Sequence, residues 1–181
     1  MKPPILSEKH LCDFQSSTGL VPRIVNDGVM GGVSSSAFAV TDTGTGVFRG
    51  EVSLENNGGF ASVRLQPLVH DLTGSDAFMV KTRGDGHTYK FIVRTDTGYD
   101  GVNYRNVFQT RSGIWQEHWL PFAEFVPTIR GRILTGMPAL NPANIETVGF
   151  LISDQQAGPF QLEVAWIKAS AAHSTDRQPS L

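Results

Sequence analysis

Between residues 47 and 54 the apolar side chains Phe48, Val52 and Leu54 alternate with Arg49, Glu51 and Ser53. A period of two puts the two sets on opposite faces of an extended strand. The same period returns at residues 76–83, where Phe78 and Val80 oppose Met79 and Lys81, and at 89–94, where Tyr89, Phe91 and Val93 oppose Lys90, Ile92 and Arg94. Further segments at 11–14, 37–41, 60–65, 104–110, 115–120, 146–153 and 160–169 read as strands as well. No stretch of about a dozen residues holds a helical period. Roughly ten short strands separated by turn residues mean an all-β fold, a sandwich or a barrel.

The turns are chemically explicit. Asn56-Asn57-Gly58-Gly59 predicts a hairpin with residues 60–65 as the return strand, because Asn and Gly supply the positive backbone angles of primed turns. Gly84-Asp85-Gly86 and Ser112-Gly113 mark two more turns. Residues 121–125 suit one helical turn, and residues 126–145, with Pro127, Pro138 and Pro142, suit a long crossing loop. At 181 residues the chain is long enough for one full core and short for two. The expected organisation is a lead-in at 1–9, one β-sandwich domain at 10–169 and a disordered polar tail at 170–181.

A net charge of −2 gives no bulk field to collect nucleic acid. One cysteine, Cys12, rules out an intrachain disulfide and a multi-thiolate metal site. No run of about 18 apolar residues is present to span a bilayer. The start, MKPPILSEKH, lacks the apolar core of a signal peptide and the Arg-rich character of a transit peptide. The expected location is the cytoplasm of a bacterium, membrane-peripheral only through a partner.

Catalytic and cofactor signatures are missing from the pattern. The five histidines, His10, His70, His87, His118 and His173, have no metal spacing, and no Gly-x-Ser-x-Gly elbow occurs. Gly31-Gly32 and Gly44-Thr45-Gly46 lack the following helix that aims backbone N–H groups at a phosphate. Residues 96–101 resemble a calcium loop only weakly, since Gly98 stands at a ligand position. Asp13 and Glu163 are conceivable ligands for a structural calcium. The expectation is therefore no enzyme, no cofactor and no metal.

Two features remain as candidates for binding. Residues 24–38, IVNDGVMGGVSSSAF, join a turn signal at Asn26-Asp27-Gly28, the apolar pair Val29-Met30 and the glycine pair Gly31-Gly32. An ordinary turn entering a strand explains the spacing; a shaped loop that turns Asp27 and Met30 toward a partner is the sharper reading. The second feature is cationic: Arg64, Arg83, Lys90 and Arg94 lie on or beside predicted strands, Asp85 sits in a turn, and Arg130 and Arg132 flank Gly131. Converging with Tyr104 on one face, they would suit a carboxylate, phosphate or sugar. Scattered, they are solvated faces and ion pairs.

The chain also resembles the complex I intermediate-associated protein 30 family, known from its mitochondrial members as an assembly factor for NADH:ubiquinone oxidoreductase. The resemblance runs over residues 14–167. It is carried by 25–34 (VNDGVMGGVS), Phe48-x-Gly50, 57–64 (NGGFASVR), 83–86 (RGDG) with Tyr89-Lys90, Pro121-Phe122 with Phe125, Arg130-Gly131-Arg132, 145–154 and 157–160. It implies a galactose-binding-like jelly-roll β-sandwich of two antiparallel sheets, as in many carbohydrate-binding modules, and a non-enzymatic, chaperone-like role. Many members carry a tryptophan where this chain has Val21-Pro22-Arg23.

The leading expectation is a non-catalytic protein-binding module that helps assemble a respiratory or other complex, with a complex I subunit or assembly intermediate as partner. Its expected contact residues are Asn26, Asp27, Met30, Gly31, Gly32, Arg64, Arg83, Asp85, Lys90, Tyr104, Arg130 and Arg132. The alternative is a carbohydrate-binding module with Tyr104, Trp115 and Trp119 as stacking platforms. A cofactor-binding domain or enzyme ranks below both.

Overall fold

In the computed structural model, which describes residues 7–15, 19–68, 70–96 and 101–171, the alternating segments become thirteen strands. In chain order they are β1 (Glu8–Cys12), β2 (Val21–Ile24), β3 (Ser35–Val40), β4 (Gly46–Val52), β5 (Ala61–Gln66), β6 (Ala77–Arg83) and β7 (Thr88–Arg94). There follow β8 (Asn103–Gln109), β9 (Trp115–Pro121), β10 (Val126–Ile129), β11 (Arg132–Ile133), β12 (Thr147–Ile152) and β13 (Gly158–Ser170). All pairings between these strands are antiparallel.

The strands form two sheets. A six-stranded sheet runs β3-β4-β13-β6-β9, and β1 joins it on β13. A seven-stranded sheet runs β11-β10-β8-β7-β12-β5-β2. β13 is thirteen residues long and uses its length twice: Gly158 to Val164 pair with β4, and farther along Ile167 to Ser170 pair with β1. A β-bulge between Val164 and Trp166 bends it midway. This is a β-sandwich of the jelly-roll kind that the family resemblance implied.

Period two explains the core. Phe48, Val52, Phe78, Val80, Leu162 and Ile167 face inward from one sheet, and Val63, Leu65, Tyr89, Phe91, Val93, Phe150 and Ile152 from the other. Phe78 meets Phe91 across the layers with ring centroids 4.9 Å apart, and Phe122 closes on Phe78 at the same distance. Such tilted pairs add to area burial because ring edges and faces carry opposite partial charge. Phe122 belongs to the short 3-10 turn Phe122–Glu124, where one helical turn was expected.

Three expectations change. Residues 56–59 make the predicted kind of turn, with Asn56 at φ 55° and Asn57 at φ 59°, yet not a hairpin: β4 and β5 lie in different sheets. Turn chemistry sets the local angles and says nothing about which sheet receives the next strand. The crossing loop at 126–145 contains the hairpin β10–β11, turned by Arg130 at φ 46° and Gly131 at φ 79°. An arginine in a left-handed conformation is uncommon, so only Gly131 of the turn pair carries a sequence signal. The first strand starts at Glu8, ahead of the expected 11–14, and Phe14 adopts φ 57° beyond its end. The calcium-like loop at 97–100, His173 and the tail from residue 172 lie outside the described residues.

Candidate functional site

Asp27 opens the 3-10 turn Asp27–Met30 between β2 and β3, and it is completely buried. Its carboxylate accepts hydrogen bonds from Ser34 N (3.0 Å), Ser34 Oγ (2.5 Å), Gly59 N (2.7 Å) and Phe60 N (3.2 Å). Burial pushes its pKa up, but the bonds from Ser34, Gly59 and Phe60 outweigh that and hold the carboxyl below its ordinary value. Two glycines make room for it. A β-carbon on Gly32 would sit 2.5 Å from Asp27 Cγ, and one on Gly58 would sit 2.6 Å from Asp27 Oδ2. The Asn-Asp-Gly-x-x-Gly-Gly and Asn-Gly-Gly-Phe segments are therefore one physical unit, a carboxylate wrapped by two close-packed loops.

Asn26 extends the unit. Its side-chain oxygen accepts from Ser36 Oγ (2.8 Å) and Ser62 N (3.3 Å), joining β3 of one sheet to β5 of the other. On the outside of this polar knot the side chains are apolar: Val29 is 59% exposed, Met30 62% and Val33 53%. Asn26, Asp27 and Gly32 build the loop from within, and Met30 and Gly31 are its predicted members that face out.

The predicted cations divide between the sheets. Arg64 and Lys90 share the outer face of the seven-stranded sheet, while Arg83 lies on β6 of the six-stranded sheet. There it donates to Glu163 Oε2 from Nε (3.0 Å) and Nη2 (2.5 Å), and its guanidinium lies 5.0 Å from the centre of the Trp115 ring. Glu163 also accepts from Thr45 Oγ1 (2.6 Å). Asp85 lies in the crossing between β6 and β7 and accepts from Gln161 N (2.7 Å) and the Tyr89 hydroxyl (3.0 Å), one group from each sheet. Burial raises its pKa; the bonds from Gln161, His87 and Tyr89 prevail and lower it. Tyr104 points into the core, its hydroxyl donating to Pro138 O (3.0 Å). Arg130 and Arg132 lie at the β10–β11 turn, the opposite edge of the sheet from β2. Asp13 accepts from Gln15 N (3.1 Å). Among the described residues, no group of three His, Cys, Asp or Glu could hold a metal ion.

Strand register shows what the sequence reading missed. Arg23 pairs with Arg64, Arg64 with Gly149, Gly149 with Ile92 and Ile92 with Arg105. Directly opposed residues share a face, so Arg23, Arg64 and Arg105 form one row across β2, β5, β12, β7 and β8. Lys90 and Arg94 flank it from β7. Lys90 Nζ donates to Ser153 Oγ (2.7 Å) and pairs with Asp154 (2.7 Å), and Arg94 Nη2 pairs with Asp96 (2.9 Å). No strand of this sheet contains an Asp or Glu. Arg23 and Arg105 needed only strand order to be found, and strand order is not local information.

A model of the complex I intermediate-associated protein 30 family matches residues 12–164. The chain is 26% identical over 155 residues to the "Probable complex I intermediate-associated protein 30, mitochondrial" of Caenorhabditis elegans, covering 75% of this chain and 46% of that protein. It is 26% identical over 157 residues to the Drosophila melanogaster protein of that family (75% and 53% covered) and 32% over 104 residues to the Mus musculus one (55% and 32%). The chain spans about half the length, or less, of these relatives. Among solved structures it resembles the family 11 carbohydrate-binding module of a Clostridium thermocellum cellulosomal cellulase, with TM-score 0.68, 17% identity, and 94% and 99% of the two chains covered. A family 29 carbohydrate-binding module complexed with mannohexaose follows, with TM-score 0.59, 8% identity, and 97% and 99% covered. At these identities the likeness is one of fold.

The expectation of a bacterial cytoplasmic location is overturned, because the curated relatives are named as mitochondrial proteins. It rested on charge, one cysteine and the character of the first residues, and none of these separates one compartment from another.

Proposed function

Because the chain belongs to the complex I intermediate-associated protein 30 family, we propose that it is a non-catalytic protein-binding module that holds a subunit or assembly intermediate of complex I while the complex is put together. The observation that carries this reading is the loop around Asp27. A buried carboxylate there has its hydrogen bonds within the chain, and the result is a stiff support that turns Val29, Met30 and Val33 to solvent. Clustered exposed apolar side chains mark contact surfaces, and methionine adapts to irregular partners. Support also comes from the position of this loop inside the family match.

The test is capture of assembly intermediates by the tagged protein in mitochondria of a host lacking its own copy. Met30→Asp, with an unchanged melting temperature, is expected to lose most of the captured material; capture equal to wild type would sink the reading. The carbohydrate-binding alternative has one observation in its favour, Trp119 on β9, which is 41% exposed. Tyr104, buried against Pro138, is removed from its platform. A glycan array separates the two readings: signal abolished by Trp119→Ala favours the sugar, and a blank array favours the protein.

A further inference from the structure

A strand at the edge of a sheet is a template for a further strand, and proteins blunt such edges with charge, proline or shortness. Among the described strands, β1, β2, β3, β9 and β11 each have a side without a neighbour. Four are blunted: β1 carries Glu8 and Lys9, β2 Pro22 and Arg23, β9 Glu117 and Pro121, and β11 is a two-residue strand with Arg132. β3, Ser-Ser-Ala-Phe-Ala-Val, has neither charge nor proline. Among the described residues its backbone hydrogen bonds go to β4 alone, so its other side is unpaired. The layer beneath shows the same gap. Ile24 stands opposite Val63 and Pro22 opposite Leu65, and opposed residues share a face, so both turn inward with the buried Val63 and Leu65. Yet Ile24 is 37% exposed, and Pro22 is exposed as well. Asn26 ties β3 to β5, the neighbour of β2. The six-stranded sheet therefore stops over β5 and leaves the inner side of β2 uncovered. On the outer face Ala37 stands opposite Arg49 and Ser35 opposite Glu51. Both charged residues are exposed, and the Arg49 guanidinium has no hydrogen bond or ion pair among the described residues. An open depression bordered by Ser35, Ala37, Arg49 and Gln161 leaves room there.

Resting on the assembly reading above, we propose that an extended segment of the protein partner adds to the six-stranded sheet as an antiparallel strand on the open edge of β3. Such a strand continues the sheet over β2. Its inward side chains, opposite Ser36, Phe38 and Val40, are apolar and cover Pro22 and Ile24; Val40, 56% exposed, gains cover with them. Charge sets its outward side chains. The one opposite Ala37 lies two strand spacings, about 10 Å, from Arg49. A glutamate there meets the guanidinium across the small Ala37 side chain. The one opposite Ser35 faces Glu51 in the same way and is basic. The segment then reads apolar-Thr-apolar-Glu-apolar-Lys, with main-chain bonds supplying affinity and alternate side chains the selection. The loop with Met30 and Val33 runs directly into β3, so this edge continues the apolar contact already assigned. A second copy of the chain is a poorer match, since β3 offers no carboxylate to Arg49.

The experiment titrates the full chain into two labelled peptides, Val-Thr-Val-Glu-Val-Lys and Val-Thr-Val-Lys-Val-Lys, which differ only opposite Ala37. Fluorescence anisotropy reads affinity, amide hydrogen exchange reads the strand that is covered, and every variant is checked by its melting curve. Wild type is expected to prefer the glutamate peptide about threefold at low salt, and Arg49→Glu to reverse the preference. Ile24→Asp should weaken both peptides about fivefold or more. Binding should slow exchange of the β3 amides that face away from β4 and leave those of β9 unchanged. Binding of neither peptide, a preference that Arg49→Glu leaves in place, or protection on β9 without β3 overturns the proposal. A dimer in sedimentation whose formation protects β3 overturns it in favour of a second copy. Capture of assembly intermediates separates the two levels. If Ile24→Asp with Arg49→Glu captures normally and Met30→Asp does not, the strand-addition proposal fails and the assembly reading stands; if neither variant changes capture, the assembly reading itself fails.

Discussion

On the outer face of the six-stranded sheet opposite charges meet across the strands, with Lys81 against Glu117 and Arg83 against Glu163. Lys168 reaches Glu8 at 3.3 Å on the neighbouring strand. On the outer face of the seven-stranded sheet Arg23 meets Arg64, and the row continues to Arg105. On the first face these charges find their complements on neighbouring strands. On the second, loop carboxylates meet the cations of β7, Asp154 at Lys90 and Asp96 at Arg94. Two sheets of one domain, built by the same period, thus draw these partners of their charges from different places, strands in one and loops in the other.

The largest perturbation strikes the knot that ties the two sheets at their common edge. Asp27→Ala leaves three backbone N–H groups and the Ser34 hydroxyl without their acceptor and should cost about 3–4 kcal/mol, read as a lowered denaturation midpoint. Acid should reproduce part of that loss. The native carboxyl titrates below its unfolded value of 3.8, so its contribution is complete above that value and disappears as pH falls through the lowered native one. Urea midpoints measured from pH 6 downward should stay level until about pH 4 and then drop, with a shallower drop in Asp27→Asn. A midpoint that falls already between pH 6 and 5 would contradict this assignment.

Smaller effects address the six-stranded face directly. Glu163→Gln leaves Arg83 facing a neutral group and should cost about 1 kcal/mol, a modest sum because Arg83 is partly exposed. Glu117→Lys sets two lysines opposite each other and should cost about 0.5 kcal/mol. Paired melting curves at low salt check the signs. If neither substitution destabilises, the charge balance of the six-stranded face does not serve the fold.

How much of this was legible follows from range along the chain. The strands at 76–83 and 89–94 could be read because periodicity is local, and both emerge within a residue of their predicted bounds as Ala77–Arg83 and Thr88–Arg94. The hairpin at 56–59 failed because the choice of sheet is made by packing far from the turn. Asp27 was expected to face outward, since nothing near it tells that Gly59 and Phe60, more than thirty residues on, would present their N–H groups to it. Arg83 and Arg64 look alike in sequence and end on different sheets. Arg105 was passed over because its meaning arises only when β8 lies beside β7.

The long strand β13 leaves one further mark. Its end pairs with β1 so that Glu8 stands opposite Ser170, which places the way into the module beside the way out. A domain with adjacent entry and exit can be threaded into the middle of a longer polypeptide without forcing apart what flanks it. Tension between the flanks would then load β1 and β13 as a zipper, opening one bond at a time from the mouth, while β6 holds the other side of β13.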